Sequence, residues 1–168
     1  MSYCIIIRGP AGVGKSTIAR DLAKKLDSYY VSFDSVMKKN MLDTIKEDGI
    51  SSENFIKANN LVIPEAIKRL KTGQIVIFDG CFYRKEQIKH LKEQIKFRFL
   101  VFNLTASLNE CLKRNESRNK IMPTSEVVAV YDLVTRLKLG INIKTSGKNI
   151  PECVDELVSK SRKFATIL

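Results

Sequence analysis

The sequence predicts an α/β protein, a three-layer sandwich in which a five-stranded parallel sheet is covered by helices on both faces. Three observations carry this expectation. Short β-rich apolar runs alternate with longer stretches whose apolar residues recur at helical spacing, the pattern of doubly buried strands joined by right-handed helical crossovers. The first strand-to-helix junction is a glycine-rich loop, and the second and third strands each end at an aspartate, Asp34 and Asp79. The 168 residues, 44% of them apolar, show no break in composition, which fits one domain spanning 1–168.

Taken in chain order, Tyr3 to Arg8 (YCIIIR) reads as a buried strand closed by Gly9-Pro10, and Ile18, Ala19, Leu22, Ala23 and Leu26 mark the helix after it. Tyr29 to Phe33 is a second strand, followed by a helix of mixed polarity from Ser35 to Glu47 that stops near Asp48-Gly49. Ser51-Ser52-Glu53 starts a longer helix running to Thr72-Gly73, which Pro64 should kink or divide. Ile75 to Phe78 is the third strand, Arg84 to Ile95 a helix with His90 off its apolar stripe, and Phe97 to Asn103 the fourth strand. Helices are then expected over Ser107 to Asn115 and Thr124 to Leu139, the latter ended by Gly140. Ile141 to Lys144 supplies the fifth strand, and a last helix opens with Asn149 as its cap and Pro151 in its first turn.

Composition removes several classes. The longest apolar runs fall far short of the roughly 20 residues of a membrane span, and Met1 to Arg8 has no signal-peptide pattern, so a soluble cytoplasmic protein is expected. The four cysteines, Cys4, Cys81, Cys111 and Cys153, have no metal-ligand spacing and only His90 to assist them. Net charge is +11, with most of the excess in residues 81–168. That suits an anionic partner such as a nucleotide, a phosphorylated metabolite or nucleic acid, and equally a Lys-rich surface serving solubility.

The segment Gly9-Pro-Ala11-Gly12-Val13-Gly14-Lys15-Ser16 fits the phosphate-loop pattern G-x-x-x-x-G-K-[ST] without deviation, between a strand and a helix as that pattern requires. Glycines let backbone N–H groups curl around phosphate oxygens while the helix N-terminus adds its partial positive charge. Lys15 is expected to reach the β- and γ-phosphates, Ser16 to ligate Mg²⁺ and Thr17 to contact an α-phosphate. Asp34, at a strand end, either accepts a proton from an attacking hydroxyl or caps the helix from Ser35. Asp79 either holds Mg²⁺ or forms an Asp-Gly turn. Arg114 and Arg118, four apart, are set to close over a transferring phosphoryl from a mobile lid around 113–123, or else form a solvated basic helix end.

With these residues in view, the chain resembles the small P-loop kinases of the nucleoside-monophosphate-kinase-like fold. The resemblance rests on Gly9 to Thr17, Asp34, Asp79-Gly80 followed by Cys81-Phe-Tyr-Arg-Lys85, and Glu110-Cys-Leu-Lys-Arg-Asn-Glu-Ser-Arg118. The tract from Glu110 to Tyr131 looks most like the kinase domain of polynucleotide 5′-hydroxyl kinases. The resemblance implies Asp34 as general base, Asp79 as organiser of substrate or metal, Arg118 with Arg114 as lid arginines, and Thr145-Ser-Gly-Lys148 as a loop around adenine, a segment that also reads as a simple glycine turn. Three departures concern the acceptor. Met37 stands where polynucleotide kinases carry an arginine, Gly80-Cys81-Phe82 lacks the glycine triplet of shikimate kinases, and Arg84 falls one place later than the arginine of adenylate kinases. The expected activity is ATP- and Mg²⁺-dependent transfer of a γ-phosphoryl group to a hydroxyl acceptor, nucleic-acid or nucleoside in kind. The alternatives are a sugar or related small metabolite as acceptor, and a nucleotide-binding regulator or NTPase switch with none.

Overall fold

The computed structural model describes residues 2–46, 49–117 and 121–167. Its main sheet contains β1 (Cys4–Arg8), β2 (Tyr29–Ser32), β5 (Val76–Asp79), β6 (Phe99–Thr105) and β7 (Ile141–Lys144). All neighbouring pairs run parallel, in the order β2-β5-β1-β6-β7. Strand β1 is central and every one of its residues is buried. Strand order reverses on either side of it, so the crevice beyond its carboxyl end is where a ligand of this architecture binds.

Two cores flank the sheet. One packs β1 and β5 residues such as Ile6 and Phe78 against α2 (Phe33–Lys39), α3 (Ser52–Lys71) and α4 (Lys85–Gln94). An aromatic cluster of Phe33, Phe55, Phe78, Phe82 and Tyr83 sits in it, with ring centroids 4.7–6.2 Å apart. The other packs Ile5, Ile7 and Ile77 against α1 (Lys15–Lys25), α5 (Leu108–Glu116) and α7 (Ile150–Thr166). The remaining helix, α6, spans Thr124–Arg136.

Several local expectations are corrected. The helix after β2 begins at Phe33 and ends at Lys39, not Glu47, because Asn40 folds its side chain onto the Val36 carbonyl at 2.7 Å and Met41 turns into left-handed backbone. Beyond that turn the chain forms a short antiparallel hairpin, β3 (Ile45–Lys46) with β4 (Gly49–Ile50). The Tyr83 hydroxyl holds this hairpin, accepting from the Ile50 N–H and donating to its carbonyl. Pro64 does not divide α3, which runs unbroken for 20 residues. Pro64 and Asn60 are both exposed, so the carbonyl released by the missing N–H faces water. Strand β6 starts two residues later than expected, and α6 stops three residues earlier, at Arg136. His90 is half-buried and shares a hydrogen bond with the buried Asn59 at 3.3 Å. No helix among the described residues is long and apolar enough to cross a membrane.

Candidate active site

The loop from Gly9 to Gly14 is fixed by what lies behind it. A Cβ on Gly12, whose φ is +81°, would meet the Cys111 carbonyl oxygen of α5 at 2.2 Å, so both the backbone angle and the close approach demand glycine. Gly14, at φ 96°, is the N-cap of α1 and offers no side chain to the helix terminus, and no acidic residue occupies the first turn. The partial positive charge of this terminus is therefore left for an anion.

Lys15 is 8% exposed and its Nζ donates to the Pro10 carbonyl at 2.9 Å, curling back over the loop. It also hydrogen bonds the Cys81 thiol, which burial nevertheless pushes up. Ser16 hydrogen bonds the carboxylate of Asp79, and Thr17 is exposed at the start of α1. Asp79 ends β5 and is 2% exposed. Burial raises its pKa, and Lys15 with hydrogen bonds from Tyr30 and Ser16 works against that rise, while Asp34 adds to it. The Tyr30 hydroxyl donates to Oδ2 at 2.8 Å, whereas Oδ1 is buried with no hydrogen-bond partner among the described residues. An orphaned carboxylate oxygen beside a serine hydroxyl is a hard-oxygen donor set, which fits Mg²⁺.

Asp34 lies exposed in the first turn of α2. The cap of that helix is Ser32, whose hydroxyl accepts from the Ser35 N–H at 3.3 Å, so the capping reading of Asp34 is set aside. Its charge acts on both Asp79 and Cys81. Met37, the departure noted at the acceptor side, is 2% exposed and belongs to the core.

Arg114 is placed differently from the lid expectation. Its guanidinium reaches the Val13 carbonyl at 3.4 Å and the Thr145 hydroxyl and carbonyl at 3.0 and 3.4 Å, tying the phosphate loop to the segment after β7. Arg118 lies outside the described residues, as does part of the 113–123 segment. Lys148 pairs with Glu156 of α7 at 2.7 Å. One turn before Arg114, Glu110 accepts from Ser146 at 2.5 Å and from Ser107, which holds its carboxyl down at about 2. Glu110 also borders an open groove of about 430 Å³, lined as well by Thr105, Ala106, Ser107, Lys144 and Ser146, beyond the ends of β6 and β7.

One residue that the sequence did not single out is Arg8. Fully buried, it donates to the carbonyls of Phe82 (3.1 Å), Leu137 (3.0 Å) and Val134 (2.8 Å) and to Asn103 Oδ1 (2.9 Å). Burial pushes its pKa down to about 10. The carbonyls at the end of α6 meet the charge favourably, and the bond to Phe82 pins a bulky residue at φ 41°, in the turn that presents Cys81. The one cue in sequence is a charge closing an otherwise apolar strand. Arg8→Met should destabilise the fold by about 3 kcal/mol, the cost of leaving several buried acceptors unmet. Urea titration checks this, and a change below about 1 kcal/mol would show that water replaces the guanidinium.

Comparison with known proteins agrees with this geometry. A sequence profile of the family described as "AAA domain" matches residues 4–131. An adenylate kinase of Mycobacterium marinum is 29% identical, the match covering 74% of this chain and 75% of that protein. A Thermococcus kodakarensis protein named "Putative adenylate kinase" is 30% identical, over 95% of this chain and 85% of its own. Among solved structures, a sugar kinase from Janibacter sp. HTCC2649 superposes with a TM-score of 0.78 at 16% identity, covering 95% and 94% of the two chains. The shikimate kinase of Acinetobacter baumannii gives 0.67 at 19% identity, covering 100% and 97%. A polynucleotide-kinase relationship is not specifically supported by these matches. With the phosphate loop, the strand order and the profile in agreement, the chain belongs to the AAA domain family and carries the fold of the P-loop kinases.

Proposed function

We propose that the protein transfers the γ-phosphoryl group of ATP to a hydroxyl acceptor, with Asp34 as the general base. The observation that carries this reading is the convergence of Lys15, Ser16, Asp79 and Asp34 at the carboxyl ends of β1, β2 and β5. P-loop kinases of this kind use ATP and Mg²⁺. The backbone N–H groups of Gly12 to Lys15 and the terminus of α1 would cradle the β-phosphate, and Lys15 would leave the Pro10 carbonyl for the β- and γ-oxygens. Mg²⁺, held by Ser16 and Asp79, would supply charge neutralisation between those phosphates. Asp34, exposed in the first turn of α2, would orient the hydroxyl and take its proton. Arg114 fastens the loop after β7 to the phosphate loop, so its part is to shape the donor site, and Arg118 remains the candidate for stabilising charge on the transferring group.

A second reading, a phosphate acceptor, is favoured by the adenylate kinases among the relatives. Radiolabelled ATP with Mg²⁺ offered to sugars, nucleosides, nucleoside monophosphates and 5′-hydroxyl oligonucleotides separates the two. Label on a sugar, nucleoside or oligonucleotide is the expected result, and label on the monophosphate alone would overturn it. ADP release that no acceptor stimulates would instead mark an NTPase switch. If the oligonucleotide is the acceptor, its affinity should fall at least tenfold between about 50 and 200 mM salt, since several backbone phosphates are then neutralised.

A further inference from the structure

Asp79 does not offer both carboxylate oxygens equally. Oδ2 is engaged by the Tyr30 hydroxyl at 2.8 Å, while Oδ1 is buried and without a hydrogen-bond partner among the described residues. Tyr30 itself is held from several sides. It comes from β2, where the register sets Tyr30 beside Ile77 and Ser32 beside Asp79, so Tyr30, Ser32 and Asp79 face the same side of the sheet. The Ser32 hydroxyl hydrogen bonds the phenol oxygen, and the Arg20 guanidinium of α1 lies 5.9 Å from the centre of its ring. Ser32 in turn accepts from the N–H and hydroxyl of Ser35. The phenol proton lies toward Asp79.

The geometry points to Tyr30 as the residue that sets metal choice: by occupying Oδ2 of Asp79 it leaves a bound cation one carboxylate oxygen instead of two. This rests on the reading of Ser16 and Asp79 as the Mg²⁺ site. Mg²⁺ takes six oxygens in a small octahedron and is satisfied by single-oxygen carboxylate contacts, largely through retained waters. Ca²⁺ takes six to eight oxygens and gains from a bidentate carboxylate. A tyrosine that blocks the second oxygen therefore selects against the larger ion, acting through Asp79 without touching the phosphates. Outer partners of this kind commonly change metal affinity by about 10- to 100-fold when removed.

The test is ADP binding by calorimetry at fixed pH and salt, in Mg²⁺, Ca²⁺ or EDTA, for the wild-type chain and Tyr30→Phe. In the wild type, Mg²⁺ should strengthen ADP binding more than Ca²⁺ does. Tyr30→Phe should weaken ADP binding in Mg²⁺ by about tenfold and leave binding in Ca²⁺ within about twofold or tighter, because the released Oδ2 serves Ca²⁺. The ratio between two ions in one protein cancels any general loss of folding or affinity, which the EDTA arm measures. An unchanged Mg²⁺-to-Ca²⁺ ratio, whether both constants fall or neither does, would overturn the role of Tyr30 and leave the metal site standing. Wild-type ADP binding that is indifferent to divalent ions would remove the metal site itself, and this inference with it.

Discussion

Replacing Lys15 by alanine is expected to lower ATP-dependent phosphoryl transfer on the order of 10³-fold or more while the protein stays folded. Little covalent chemistry is asked of a phosphoryl-transfer site, so its catalysis lies in charge and position, and one well-placed donor is commonly worth about 10²- to 10³-fold. Lys15 has a second task here. It is a cation acting on Asp79, whose carboxyl burial already pushes up and whose neighbour Asp34 pushes it further. Removing the ammonium thus disfavours the ionised form of Asp79, the form a metal needs, and the loss extends to Mg²⁺-dependent nucleotide binding. Lys15→Met, which keeps most of the apolar stem, should lose as much activity with less change in thermal stability. Steady-state kinetics with thermal unfolding of both variants decides the matter, and turnover within tenfold of wild type would mean that the loop lysine does not face the reacting phosphates.

The phosphate loop was legible because its requirements are local. Glycines at fixed spacing, a lysine and a serine between a strand and a helix state their chemistry within eight positions. The parallel sheet was legible for a related reason, since strands such as Cys4–Arg8 and Val76–Asp79 are buried on both faces and their sequences show it. The hairpin of β3 and β4 was not, because strands of two residues have no period to read, and the helix-like pattern beyond Lys39 gave no warning of Asn40 folding back on Val36. The partners that tune the site are long-range pairings. Tyr30 and Asp79 are 49 positions apart, Arg114 and Thr145 are 31 apart, and Arg8 reaches Leu137 across 129. Their side-chain types are visible in sequence, but only the fold brings them together.

Asp34→Asn carries the largest effect specific to the acceptor. An alcohol is a weak nucleophile until its proton is taken, and a positioned carboxylate is worth about 10²- to 10⁴-fold in that task. Asparagine keeps the size and can still hydrogen bond, yet it cannot accept the proton, so kcat with a hydroxyl acceptor should fall by about that factor. Nucleotide affinity should hold within about twofold, because Asp34 is exposed in the first turn of α2 and the helix keeps Ser32 as its cap. The same variant discriminates between acceptor classes. A nucleoside monophosphate presents an oxygen that is already ionised near neutral pH, its second pKa being about 6. With such an acceptor no base is needed, and the loss should stay under about tenfold. A deep loss of kcat with intact ATP binding therefore assigns Asp34 to proton transfer from an alcohol, and a shallow loss assigns the acceptor to the phosphates. If ATP binding collapses while turnover of bound substrate survives, Asp34 belongs instead with Asp79 in the surroundings of the metal.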